Sequence, residues 1–86
     1  MTSHITFDGI SLNPVDISIL MLLNDSPSTG FGDQTICNLS GVEFPILRRR
    51  LTHLSKKKLV AKKAGAYKIN QNGERLFNRF IGYVKN

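Results

Sequence analysis

Apolar residues recur at helical spacing along most of the chain. Ile17, Leu20, Met21 and Leu23 form a first stripe. Asn13-Pro14-Val15-Asp16 precedes it and reads as a helix start. Asn13 can cap, Pro14 suits the first helical position, and Asp16 sits where a carboxylate meets unpaired N–H groups. The turn formers from Asn24 to Gly30 end that helix. A short second helix is predicted from a cap at Asp33, running Gln34 to Leu39 with Ile36 and Leu39 inward, until Ser40-Gly41 breaks it. A third begins near Glu43, and Pro45 is tolerated in its first turn. There Leu47, Leu51 and Leu54 recur at i, i+4 and i+7.

The pattern then changes. Leu59 to Lys63 and Ala66 to Asn70 are short runs joined through Ala64-Gly65, the signature of a β-hairpin. From Gly73 to Val84 a last helix gathers Leu76, Phe77, Phe80, Ile81 and Val84 on one face. Residues 1–12 hold only the alternating stretch His4 to Asp8, a short strand or an ordered arm. The expected order is helix, helix, helix, hairpin, helix: an α+β domain over 13–86 preceded by the 1–12 segment.

Charge sharpens this picture. Residues 1–43 contain five acids and no Lys or Arg, a formal charge of −5. Residues 44–86 contain all twelve bases and one acid, Glu74, a formal charge of +11. Solubility alone is served by interspersed charge. A segregated basic half is an electrostatic footprint for a polyanion, with nucleic acid first in line.

Bulk composition excludes several classes. The 86 residues make one small domain, and 41% hydrophobic residues suffice for a modest core. A core this small is often supplemented by dimerisation. The single cysteine, Cys37, forbids an internal disulfide, which suits a reducing compartment. The longest apolar run, Ile19 to Leu23, is far short of a membrane span, and the N-terminus lacks the basic start of a signal peptide. A soluble cytoplasmic protein is expected. His4 and His53 are too few and too isolated for a metal site. Cys37 reads as a small packing residue. No Ser-His-Asp set, paired carboxylates or phosphate-binding glycine loop is present, and Gly30-Phe31-Gly32 is only a glycine pair in a loop. No enzyme and no cofactor is expected.

The short second helix, the Ser40-Gly41 turn and the third helix make a helix-turn-helix pattern. In that motif the later helix enters the major groove. Here it carries Arg48, Arg49 and Arg50. The arginine fork matches guanine O6/N7 or a phosphate. Three arginines are also compatible with a merely solvated face, but the following hairpin adds Lys62 and Lys63 beside a glycine turn.

The stretch Ile46 to Val60 resembles the recognition helix and wing opening of the winged-helix DNA-binding domains of MarR and PadR type. Tyr67-Lys68-Ile69-Asn70-Gln71-Asn72-Gly73 is similar to the family's second wing strand and the threonine-x-x-glycine start of its next helix, with Asn70 in the threonine position. The likeness covers residues 14–84. Two departures stand out. Lys58 occupies the place of a usual glycine, so the bend costs conformational energy if φ is positive. The wing tip, Lys63 to Ala66, is also short.

The resemblance implies sequence-specific binding of double-stranded DNA and transcriptional control, usually as a homodimer, within the cytoplasm at the nucleoid. A recognition helix at about 43–57 would lie in the major groove and a wing at 59–70 on the backbone. Phe44, Pro45, Arg48, Arg49 and Thr52 are assigned to the groove-facing surface. Lys56, Lys62, Lys63 and Lys68 are assigned to phosphates, which position without reading sequence. Arg50 is counted with the DNA contacts, but it lies near the edge of the leucine stripe, and pairing with an acid of the first half is its alternative role. Phe77, Phe80 and Ile81 complete the core, are shared with Val84 across a dimer seam, or do both. Arg75 and Arg79 are expected on the solvated side. The alternative function is a winged-helix adaptor whose charged halves dock protein partners without reading DNA.

Overall fold

The computed structural model describes residues 5–7 and 9–85, with the side chains of 5–7 and 83–85 left aside. The expectations placed on His4, Asp8 and the Val84 side chain fall outside that description. The chain is α+β. A hairpin of β1 (Ile5–Phe7) and β2 (Ile10–Leu12) leads into α1 (Pro14–Asn24). Then come β3 (Phe31–Gly32), α2 (Asp33–Ser40), α3 (Phe44–Lys56), β4 (Val60–Lys63), β5 (Ala66–Ile69) and α4 (Gln71–Lys85). The second sheet is antiparallel in the order β3-β5-β4.

The start of α1 is fixed by a reciprocal capping box. The Asp16 N–H donates to Asn13 Oδ1 at 2.9 Å, and the Asn13 N–H donates to Asp16 Oδ2 at 3.0 Å. The inward face of α1 differs from the expected stripe. Asp16, Ile19, Leu20 and Leu23 are buried, whereas Met21 is exposed. This set has the i, i+3, i+4, i+7 spacing of one helix face. Its first position is a carboxylate, so an apolar pattern alone does not reveal it.

In α2 the extended cap residue is Gly32 rather than Asp33, because Gly32 is held against Ala66 in the sheet. Asp33 instead occupies the first helical turn, where its charge still suits the helix N-terminus. Ile36 is buried, but Leu39 points outward and is 56% exposed. Leu39 lies about 60° around the helix from Ile36. Cys37 occupies the other flank, half-buried, with its thiol donating to the Val42 carbonyl at 3.1 Å. The helix therefore rolls toward Cys37 and turns Leu39 out. Gly41, at φ 72°, closes α2 in the left-handed region that glycine adopts at little cost.

Helix α3 buries Leu47, Leu51 and Leu54, as its periodicity predicts. It ends in a Schellman motif. The Leu59 N–H donates to the Leu54 carbonyl and the Lys58 N–H to the Ser55 carbonyl, both at 3.0 Å. Lys58 has φ 61°, so the bend is made by a residue with a side chain where glycine is usual. Leu59 and Leu54, both buried, supply the apolar contact that accompanies this motif.

The β4–β5 hairpin closes through Ala64 and Gly65, both at positive φ, the pattern of a type I′ turn. Phe31 and Gly32, expected in a loop, add the short third strand by pairing with Tyr67 and Ala66. Asn70 joins the hairpin to α4. Its N–H donates to the Leu59 carbonyl, its amide donates to the Lys58 carbonyl, and its Oδ1 accepts from the Gly73 N–H. The helix therefore begins at Gln71, two residues before the expected Gly73.

The core gathers leucines and isoleucines of α1, α2 and α3 with Leu59, Val60, Leu76 and Phe77. Leu12 of β2 joins it at 1% exposure, so the 1–12 segment contributes to the core. Each such large apolar side chain contributes roughly 1.5–3 kcal/mol on burial.

Candidate nucleic-acid interface

The leucine stripe pins one side of α3 to the core and leaves the opposite side to solvent. Pro45, Arg48, Arg49, Thr52 and Lys56 are all exposed there. Phe44 is half-buried at the first turn, and the Arg48 guanidinium lies over its ring at 5.8 Å from the centroid. That contact restricts the Arg48 side chain without neutralising it. Arg49 carries no internal partner among the described residues. The Thr52 hydroxyl donates to the Arg48 carbonyl at 2.9 Å, so its donor is engaged and only its lone pairs remain for a ligand.

Arg50 departs from its two neighbours. Its Nε and Nη2 donate to the two oxygens of Asp16, at 2.7 and 2.6 Å. Asp16 is fully buried and Arg50 is 23% exposed. The hydrogen bonds to Asp16 raise the guanidinium above its ordinary pKa; burial opposes this, and the carboxylate charge adds to the rise. Of the two roles considered for Arg50, the structure places it in the pairing with a first-half acid, tying α3 to α1 rather than lying with Arg48 and Arg49.

The lysines of the β4–β5 hairpin divide between two faces of the sheet. Lys63 pairs with Ala66 and Lys68 with Ala61, so Lys63 and Lys68 share one face. Lys62 pairs with Tyr67 on the opposite face, where its ammonium sits 5.5 Å from the Tyr67 ring centroid. All three are exposed.

Phe77, placed in a prospective dimer seam, is 7% exposed and belongs to the chain's own core. Phe80 and Ile81 are half-buried. Arg75 and Arg79 lie at the surface as expected, around a cavity of about 280 Å³ that also meets Lys57, Asn72 and Ile10. Sequence reasoning singled out neither this cavity nor the exposed Ile46. Nor did it anticipate that His53 Nε2 is buried without a hydrogen-bond partner. Among the described residues no group of three or more His, Cys, Asp or Glu can hold a metal ion, and no helix is long and apolar enough to cross a membrane.

No protein-family model, curated protein or solved structure matches the chain.

Proposed function

We propose that the chain is a winged-helix protein that binds double-stranded DNA in a sequence-dependent manner and regulates transcription. In this reading α2 and α3 form the helix-turn-helix, α3 enters the major groove, and β4–β5 is the wing. The observation that carries it is the outer face of α3. Arg48, Arg49 and Lys56 stand exposed there, opposite a fully buried leucine stripe, with no acid pairing them among the described residues. Arg48 and Arg49 are the base readers, each worth roughly 1–3 kcal/mol of discrimination if it grips a guanine. Lys56 and the wing lysines neutralise phosphates. A homodimer, joined through the half-buried Phe80 and Ile81 of α4, would present two such helices to a palindrome. Such a protein would work in the cytoplasm, at the nucleoid.

The test is a fluorescence-anisotropy titration against a random duplex of about 30 base pairs at low and physiological salt, followed by selection of bound sequences. Binding that weakens steeply with salt, together with an enriched palindrome, supports the reading. Salt-dependent binding without enrichment reduces it to a non-specific binder. Absence of binding at low salt rejects it. The exposed Leu39 and Ile46, at 56% and 41%, favour a second reading as a protein-interaction adaptor. That reading predicts that replacing Arg48 and Arg49 by alanine removes a bound protein and leaves duplex affinity unchanged.

A further inference from the structure

The geometry points to a second phosphate-holding element, built from the turn before β3 together with the outer face of the wing. This inference rests on the DNA-binding reading and extends it to residues outside the helix-turn-helix. The turn is closed by the Gly30 N–H donating to the Pro27 carbonyl at 2.8 Å. It is pressed tightly onto β5. A Cβ at residue 30 would stand 2.5 Å from the Tyr67 carbonyl oxygen and 2.6 Å from Lys68 Cγ, and Gly30 has φ +77°. Glycine at this place therefore brings Ser28 and Thr29 beside the stem of Lys68.

The result is a groove of about 600 Å³ lined by Ser28, Thr29, Lys63 and Lys68, with Ala64 and Ala66 as small neighbours. Lys63 and Lys68 reach it because the register puts both on one face of the hairpin. All four polar residues are exposed, no acid lines the groove, and no internal hydrogen bond or ion pair engages their side chains among the described residues. Two ammonium groups and two hydroxyl donors around a small-residue floor suit an anion with several acceptor oxygens. The groove is open, so a free ion would be weakly held against solvent and salt. A phosphate of a duplex already anchored on α3 arrives at high effective concentration. The occupant is therefore a backbone phosphate flanking the recognition-helix footprint. Lys62, on the other face beside the Tyr67 ring, does not line this groove.

The experiment compares duplex affinity and its salt slope for the wild type, Ser28→Ala with Thr29→Ala, Lys63→Ala with Lys68→Ala, and Arg48→Ala with Arg49→Ala. Removal of the two hydroxyls should weaken binding roughly five- to twentyfold and leave the salt slope unchanged, since no counterion release is lost. Removal of the two lysines should lower the slope by about two. Melting temperatures of the turn and wing variants should stay at the wild-type value, since these side chains make no internal bonds among the described residues. If turn and wing variants bind as the wild type while the arginine variant loses affinity, this inference fails and the DNA-binding reading stands. If the wild type binds no duplex, both fail. Saturable shifts of the Gly30 and Lys68 amide resonances with inorganic phosphate, alongside unchanged duplex affinity in the variants, would reassign the groove to a free anion and overturn the proposal.

Discussion

Arg50 and Asp16 are joined by two parallel hydrogen bonds across the packing of α3 on α1. The same carboxylate also accepts from the Asn13 N–H, so one buried group closes the α1 cap and anchors α3. Removing the arginine leaves a fully buried charge without its counterion. Such a loss costs about 3–5 kcal/mol. Arg50→Met should therefore lower stability in urea unfolding by that order, and Asp16→Asn with Arg50→Met should recover part of it. Arg50→Lys keeps the charge but loses the fork, so it should fall in between. A cost for Arg50→Met below about 1 kcal/mol would show that the pair does not hold the helices. The pH sign follows from the raised guanidinium pKa. A group whose pKa rises on folding stabilises the fold while protonated and withdraws that contribution only as pH climbs through its folded pKa. The Arg50 contribution should thus be flat across neutral and moderately alkaline pH.

This pair also marks where the chain was legible and where it was not. The leucines of α3 follow the 3.6-residue helical period, and the Asn13 cap and the two-residue hairpin turn are local residue signals, and each appears where the sequence puts it. The strained bend at Lys58 was legible as well, from a lysine in a glycine position. The inward face of α1 was not, because its first position is Asp16, buried only by virtue of a partner 34 residues away. Strand β3 was not, because two residues carry no periodicity and exist as a strand only by pairing with Tyr67 and Ala66. The division of the hairpin lysines between two faces depends on register, which composition does not contain. The same holds for the turn at Ser28-Thr29, whose neighbours come from the distant β4–β5 hairpin.

Lys58 is the clearest opportunity for stabilisation. Its φ of 61° costs an L-residue roughly 1–2 kcal/mol relative to its preferred conformation. Its main-chain bonds to Ser55 and Asn70 do not depend on its exposed side chain. Lys58→Gly should therefore raise stability by about 1 kcal/mol, once the greater freedom of glycine in the unfolded chain is set against the relief. In thermal unfolding of a chain this size that is a rise of about 4–8 °C. Lys58→Val should move it the other way, since a β-branched residue is least suited to this conformation. A lower melting point for Lys58→Gly than for the wild type would contradict the strain argument.

Two glycines of α4 should respond in opposite directions to the same substitution. A Cβ at residue 73 would lie 2.1 Å from the Leu59 carbonyl oxygen, a backbone atom held by the Asn70 N–H. Gly73→Ala must push α4 away from the α3–β4 junction, and its cost should exceed about 2 kcal/mol, as for overpacking a rigid site. At residue 82 nothing among the described residues lies within 4 Å of an added Cβ. There alanine improves helix propensity, and Gly82→Ala should stabilise by about 0.5–1 kcal/mol. Chemical denaturation of the two variants beside the wild type reads both signs. Equal effects would mean that α4 does not start against Leu59 as described.

Consecutive arginines on α3 should separate into two phenotypes. Residues that follow one another on a helix point about 100° apart. Arg48 and Arg49 fall on the outer face, and Arg50 is drawn toward Asp16. Replacing Arg48 and Arg49 by alanine removes only the Arg48 contact with the Phe44 ring, so stability should change by no more than about 1 kcal/mol. Duplex affinity should fall by roughly tenfold or more per arginine, with loss of preference for a guanine position. Arg50→Lys should do the reverse: a lower melting temperature, with the base preference of the bound duplex retained at temperatures where the variant is folded. Measuring melting curves and selected-duplex affinity on the same preparations decides the matter. If Arg50→Lys alters base preference while folded, Arg50 reads DNA despite its pairing with Asp16. If the Arg48 and Arg49 variant keeps wild-type affinity, the outer face of α3 is not the reading surface.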